Sequence, residues 1–193
     1  MGKVYEQIDA ALEEFIRAQQ MFFVSTAPLN SSGHINVSPK GLDTLRVLGP
    51  HTIAYLDYVG SGAETVAHLR ENRRIVVMLC AFQGPPRVVR FHGQGTVLEP
   101  QDREFNQFRT LFPPEPAGRA IVRISITRIA DSCGYGVPLY TFEGHRSQLP
   151  DWVARKGAQG LLEYQDDKNR VSIDGLPALR WPETTEPKFD RAG

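Results

Sequence analysis

Three stretches of this sequence set out polar side chains in patterns that could hold an anion. In GHINVSPKG, residues 33–41, Ile35 and Val37 share one parity, which suits a core, while Asn36, Ser38 and Lys40 share the other. An amide, a hydroxyl and an amine in line offer hydrogen-bond donors and one positive charge, the set a phosphate group asks for. The plainer reading of Lys40 is a solvated lysine just past a strand. Pro39 lacks an N–H and belongs at a strand end or sheet edge. In GSGAET, residues 60–65, two glycines flank Ser61, and Thr65 follows as a helical spacing begins at Val66 and Leu69. A helix start presents unpaired N–H groups and a partial positive charge. Gly60 and Gly62 would let an anion approach the backbone, and the hydroxyls of Ser61 and Thr65 would add donors. The competing reading is a capping serine in a plain turn. The loop is neither a Walker loop nor a dinucleotide fingerprint, because GK[ST] is missing and the second half of GxGxxG fails at Thr65. In DSCGYGVP, residues 131–138, Ser132, Cys133 and Tyr135 lie among glycines. A thiol there could act as a nucleophile, but no His or Asn partner is assignable, and a packed loop or a subunit contact explains it equally.

These stretches need elements to position them. Residues 4–19 carry Val4, Ile8, Ala11, Leu12, Phe15 and Ile16 at helical spacing. The period then changes. MFFVSTA (21–27) and HINVSP (34–39) read as strands around an NSSG turn, and LRVL and TIAYLDY as a hairpin about GPH. IVVMLCAF (75–82) reads as a strand buried on both faces, and RVVRFHGQGTVLEP (87–100) as a long strand with a bulge or bend at Gly93 or Gly95. Residues 101–112 read as a helix, and AIVRISITRIAD (120–131) as an alternating strand. Connections this short favour antiparallel pairing, and closure into a small barrel would remove exposed edges. After residue 131 the chain turns aromatic and turn-rich. A helix over 151–169 is interrupted by Gly157 and Gly160, and a charged, proline-containing tail is expected to fray. The expected organisation is a β domain over 1–130 and an extension over 131–193 that packs on the barrel or a partner.

Composition narrows the function classes. The 193 residues hold 22 Lys plus Arg and 22 Asp plus Glu, a net charge of zero. A nucleic-acid or membrane-surface binder would usually show a basic excess, so neither partner is expected. The two cysteines, Cys80 in an apolar run and Cys133 in a loop, form no CxxC, and the five histidines lack metal spacing. The start MGKVYEQIDA has no signal-peptide core, and Glu6 stands where a myristoylation motif wants Ser or Thr. A cytoplasmic protein is the expectation.

Over roughly residues 5–130 the chain resembles the pyridoxamine 5'-phosphate oxidase-like, FMN-binding split-barrel family. A helix followed by MFFVSTA is similar to the family's opening. INVSPKG resembles its Arg-x-Val-Leu-Leu-Lys-Gly strand, with Lys40 and Gly41 on the Lys-Gly. IAYLDYVGSGAETVAHLRENRRIVVML resembles the strand, phosphate loop, short helix and next strand, and RVVRFHGQGTVLE the strand with a Val-x-Gly pattern. The departures are specific. Ile35 or Asn36 stands for the first motif's arginine, Glu64 and Thr65 align with the loop's Arg-Lys, and the oxidase's C-terminal Arg-x-x-Arg-Leu is missing. The resemblance therefore implies an uncharacterised branch rather than the true oxidase. It implies a mainly β split barrel, antiparallel and Greek-key-like, of six to seven strands with flanking helices. It also implies a homodimer with FMN between subunits and a flavin-dependent oxidoreductase acting on an unidentified small molecule. On that resemblance FMN would be held by Asn36, Val37, Ser38, Lys40, Ser61, Gly62 and Thr65, with backbone groups of Val37 and Ser38 at the ring edge. Ser132, Cys133 and Tyr135 would reach the partner's flavin, and Trp152, Trp181 or Arg146 would screen it. A deazaflavin-dependent reductase, a non-enzymatic flavin or haem carrier, and a cofactor-free interaction module are the alternatives on the same fold.

Overall fold

The computed structural model describes residues 2–114 and 116–180. Of the tail expected to fray, residues 172–193, the part from Trp181 onward lies outside the described residues, whereas in residues 172–180 Ala178 and Leu179 are buried, which corrects the expectation there.

Eight strands form one antiparallel sheet. In chain order they are β1 (Val4–Tyr5), β2 (Phe22–Thr26), β3 (Asn36–Lys40), β4 (Leu45–Gly49), β5 (Thr52–Tyr58), β6 (Arg74–Cys80), β7 (Val88–Leu98) and β8 (Gly118–Ser132). The path runs β3-β2-β6-β7-β8-β5-β4, with β1 added to β8. Four helices flank it: α1 (Ala10–Ala18), α2 (Glu64–Asn72), α3 (Phe105–Arg109) and α4 (Gln148–Lys168). The mainly β, antiparallel class expected from the sequence is what is found. Full closure is not: β3 and β4 end the order without pairing each other, so the barrel is split.

The curled sheet encloses the main core, where Val24, Ile53, Tyr55, Val77, Val89, Phe91, Val122 and Ile124 have no solvent exposure. Each such valine, isoleucine or phenylalanine contributes about 1.5–3 kcal/mol relative to an exposed one. α1 lays Leu12 and Ile16 on this core, and Asp9 caps it by accepting from the Leu12 N–H at 2.8 Å. That cap explains a correction: Val4 and Tyr5 do not continue the helix but pair with Ala130 and Ile129. The Lys3 N–H and Tyr5 hydroxyl both donate to the Asp131 carboxylate, which draws this segment onto β8. The bulge falls between His92 and Gly93, where a side chain on Gly93 would strike the Ser125 carbonyl. β6 alternates rather than being buried on both faces, with Val76 and Met78 half-exposed and Cys80 buried. α3 covers only part of 101–112.

The C-terminal segment packs on the sheet. Ala178 and Leu179 meet Ala63, Val66 and Ala120, while Val153 and Leu161 of α4 meet Val59 and Ala117. α4 kinks at Gly157, whose φ of 65° and ψ of 173° are non-helical, whereas Gly160 stays in the helix. Glu99, nearly fully buried, is bonded by Arg70 and Arg180 and ties this segment to the end of β7.

Candidate functional site

β3 pairs with β2 in a register that sets Lys40, Ser38 and Asn36 opposite Phe22, Val24 and Thr26. Those three β2 residues face inward, so Asn36, Ser38 and Lys40 do as well, and all three are half-buried. Ile35 and Val37 are 72% and 63% exposed, which corrects the expectation that they face a core. The alternation was legible; which face is buried depends on the neighbouring strand and on α2. Pro39 sits on this edge strand, where a missing N–H is tolerated.

The polar set meets α2. The Ser38 hydroxyl donates to Asn36 Oδ1 at 2.9 Å, and Asn36 Nδ2 donates to Thr65 Oγ1 at 2.9 Å. This line leaves the Thr65 hydroxyl hydrogen at its end as a donor. The residue before α2 is Ala63, and no side chain caps the first turn, so Ser61 is not the cap. The first N–H groups of α2 are therefore left to solvent or a ligand, with the positive end of the helix behind them.

Two residues that the sequence did not single out complete the site. Asp57 is fully buried, and Lys40 Nζ and Arg119 Nε donate to its two oxygens at 2.6 and 2.9 Å. Burial alone would raise the Asp57 carboxyl, but the Arg119 guanidinium and then Lys40 outweigh it and hold the pKa at about 2. The Lys40–Asp57 bridge thus spans the split from β3 to β5 with side chains in place of a backbone ladder. Arg119, itself buried, also donates to the carbonyls of Gly60 (3.1 Å) and Gly62 (2.7 Å). Asn169 Nδ2 adds a 2.8 Å bond to the Gly60 carbonyl. Because the peptides are trans and planar, anchoring these two carbonyls turns the N–H groups of Ser61 and Ala63 away from the guanidinium. Asp57 was traceable in principle: a carboxylate inside the apolar run TIAYLDY needs a buried cation. Arg119, just before another apolar run, carried no such signal.

The result is a polar recess of about 130 Å³ that Asn36, Ser38, Lys40, Gly62, Glu64, Thr65 and Arg119 line. Lys40, Arg119 and Asp57 together leave one positive charge before Glu64 is counted. Ser61 is exposed beside the recess. Ser132, Cys133 and Tyr135 do not line it in the single chain. The Ser132 hydroxyl accepts from Arg90 at 3.1 Å, and Cys133 and Tyr135 are exposed. Trp152 packs edge-on against Tyr164 of the same helix. Among the described residues no cluster of His, Cys, Asp or Glu could hold a metal, and no helix is long and apolar enough to cross a membrane.

Comparisons with known proteins agree with this architecture. A family model described as pyridoxamine 5'-phosphate oxidase matches residues 8–133, from just before α1 to the end of β8. The pyridoxamine 5'-phosphate oxidase family protein ustO of Aspergillus flavus is 37% identical over 194 residues, covering 91% of this chain and 77% of its own. Among solved structures, a variant of HupZ from Group A Streptococcus has a TM-score of 0.51 at 17% identity, covering 65% of this chain and 99% of its own. A candidate pyridoxamine 5'-phosphate oxidase from Lactobacillus delbrueckii has a TM-score of 0.50 at 14% identity, covering 66% and 98%. At those identities the structures speak to fold alone. The family model, by contrast, takes in β3, the 60–65 loop, α2 and β8, the elements that build the recess, and on that match the chain belongs to the pyridoxamine 5'-phosphate oxidase family.

Proposed function

We propose that this protein is an FMN-binding flavoprotein that carries out redox chemistry on a small molecule in the cytoplasm. The observation that carries the reading is the recess, where the inner face of β3 meets the uncapped start of α2. The donor set fits a phosphate: the Lys40 ammonium, the Thr65 hydroxyl, and backbone N–H groups at a helix start. Lys40 supplies charge, Asn36 and Ser38 orient the Thr65 hydroxyl, and Arg119 holds the loop so that its amides stay available. Bound FMN would supply hydride chemistry that no side chain here offers, the protein contributing binding, orientation and electrostatics. Because Asp57 already takes up part of the Lys40 charge, the backbone amides have a larger share of the phosphate than in a site built from several free cations.

The same reading makes the protein a homodimer. Ile35 and Val37 form an exposed apolar stripe on an edge strand next to the recess, which a second copy would cover. The exposed Ser132–Tyr135 loop would then lie near the partner's flavin.

The test is the absorption spectrum of the purified protein with mass spectrometry of the released small molecule. Flavin bands near roughly 370 and 450 nm and the mass of FMN are expected. A Soret band, a deazaflavin mass, or no binding when FMN is added would overturn the reading.

A further inference from the structure

We propose that the cavity beyond Lys40 is a binding site for a small aromatic carboxylate. This cavity, about 700 Å³, lies between the end of β3, the turn from α1 to β2, and the segment 140–149. That volume suits a compact ring-bearing molecule. Its wall is aromatic. Phe82 and Tyr140 stack with centroids 5.4 Å apart, and Phe142 meets His145 edge-on at 5.0 Å. The Tyr140 N–H donates to the Phe82 carbonyl at 2.9 Å, which fixes the stacked pair. Tyr140 and Phe142 nevertheless remain 61% and 45% exposed, so their rings border open space instead of filling the core.

The charge of the lining is one-sided. Lys40, His145 and Arg146 border the cavity, and no Asp or Glu does. The Lys40 ammonium is held by Asp57, whereas no ion pair of the described residues uses Arg146. A free guanidinium fork at the mouth of an aromatic pocket matches a planar carboxylate on a ring. An amine would meet like charge, and a neutral amide would leave the fork half-used. The inference rests on the flavin reading only for the ligand's role, as the reaction partner of a cofactor held next door at Lys40; binding itself needs no flavin.

The probe is indole-3-acetate, titrated calorimetrically into the purified protein with and without FMN, beside indole-3-acetamide and tryptamine. The acid is expected to bind in both states, at least about tenfold tighter than the amide, in keeping with a hydrogen-bonded charge. Tryptamine should not bind. Arg146→Gln should bring the acid down to the level of the amide without changing the melting temperature, and Arg146→Lys should keep part of the preference. Equal binding of acid and amide, undiminished acid binding in Arg146→Gln, displacement of the acid by FMN mole for mole, or no binding of the acid would each overturn the proposal. A failure of FMN itself to bind would remove the flavin reading and leave the titration of the acid to be judged separately.

Discussion

Lys40 has two claims on its charge, a buried carboxylate within the protein and a phosphate within the proposed ligand. Lys40→Ala should weaken FMN by about 1.5–3 kcal/mol, the scale of a hydrogen bond to a charged group, and leave riboflavin nearly unchanged. Parallel fluorescence titrations with the two flavins check this; equal losses would make Lys40 a purely structural partner of Asp57. Arg119 is the more demanding residue, because one guanidinium serves the Asp57 carboxylate and two loop carbonyls. Removing it strands part of a buried charge, so Arg119→Leu should cost about 3–5 kcal/mol in urea unfolding. Arg119→Lys should recover little, since an ammonium cannot reproduce a three-way planar fork. A lysine variant as stable as the parent would show that the fork geometry is not what holds the 60–62 loop.

At the scale of the element, α4 offers a paired test in two glycines three residues apart. Gly157 has open space where a Cβ would stand, yet its backbone conformation is one that side-chain-bearing residues rarely adopt. Gly157→Ala should therefore destabilise by about 1–3 kcal/mol through backbone strain, or straighten the helix and pull Val153 from Val59 and Ala117. Gly160 lies in regular helix, and its new Cβ would meet the flexible Lys156 side chain at 3.4 Å. Gly160→Ala should stabilise by up to about 1 kcal/mol. Thermal melts of the two variants should shift in opposite directions, and a shared direction would argue against the kink.

The whole molecule should be acid-labile in two steps. His68 is fully buried, bonded through Nδ1 to Thr26 at 3.0 Å, with no partner for Nε2 among the described residues. Burial lowers its pKa, against the partial opposition of Asp174, Glu64 and Glu71. Burial lowers His92 as well, helped by Arg128 and Arg90. Each histidine is more easily protonated unfolded than folded. Stability is therefore full above the unfolded value of about 6.5 and declines as pH falls from there toward the folded values. Asp57, also depressed, keeps its contribution above the ordinary carboxylate value and loses it as pH falls through about 2. The stability measured by urea unfolding at a series of pH values should fall off as pH drops below about 6.5, and His68→Gln should flatten that slope even if it lowers the plateau. An unchanged slope would place the effect elsewhere. Assembly belongs to this scale too. Light scattering should show a dimer, and Val37→Glu on the exposed stripe should yield monomers with weakened FMN binding. A Val37→Glu dimer would remove that stripe from the interface.

Much of the architecture was legible in order along the chain, because period and punctuation are local properties. The 45–58 hairpin, the bulge at Gly93, the break at Gly157 and the alternation of Asn36, Ser38 and Lys40 with Ile35 and Val37 follow from backbone chemistry within a few residues. The family resemblance rested on such local runs. What needed the tertiary structure were pairings between residues far apart in sequence. Nothing near Tyr5 announces that Asp131 will draw it into the sheet, and nothing near Gly60 announces Arg119 or Asn169. Ile35 and Val37 had the right parity and the wrong face, since the buried side of an edge strand is chosen by what packs on it. Lys40 was recognised as a cation, but its anion, Asp57, comes from the far side of the split. Sequence alone determined which residues alternate and where the chain turns; long-range burial decided which charges meet, because the cost of desolvating a carboxylate can be offset only by cations that the fold delivers to it.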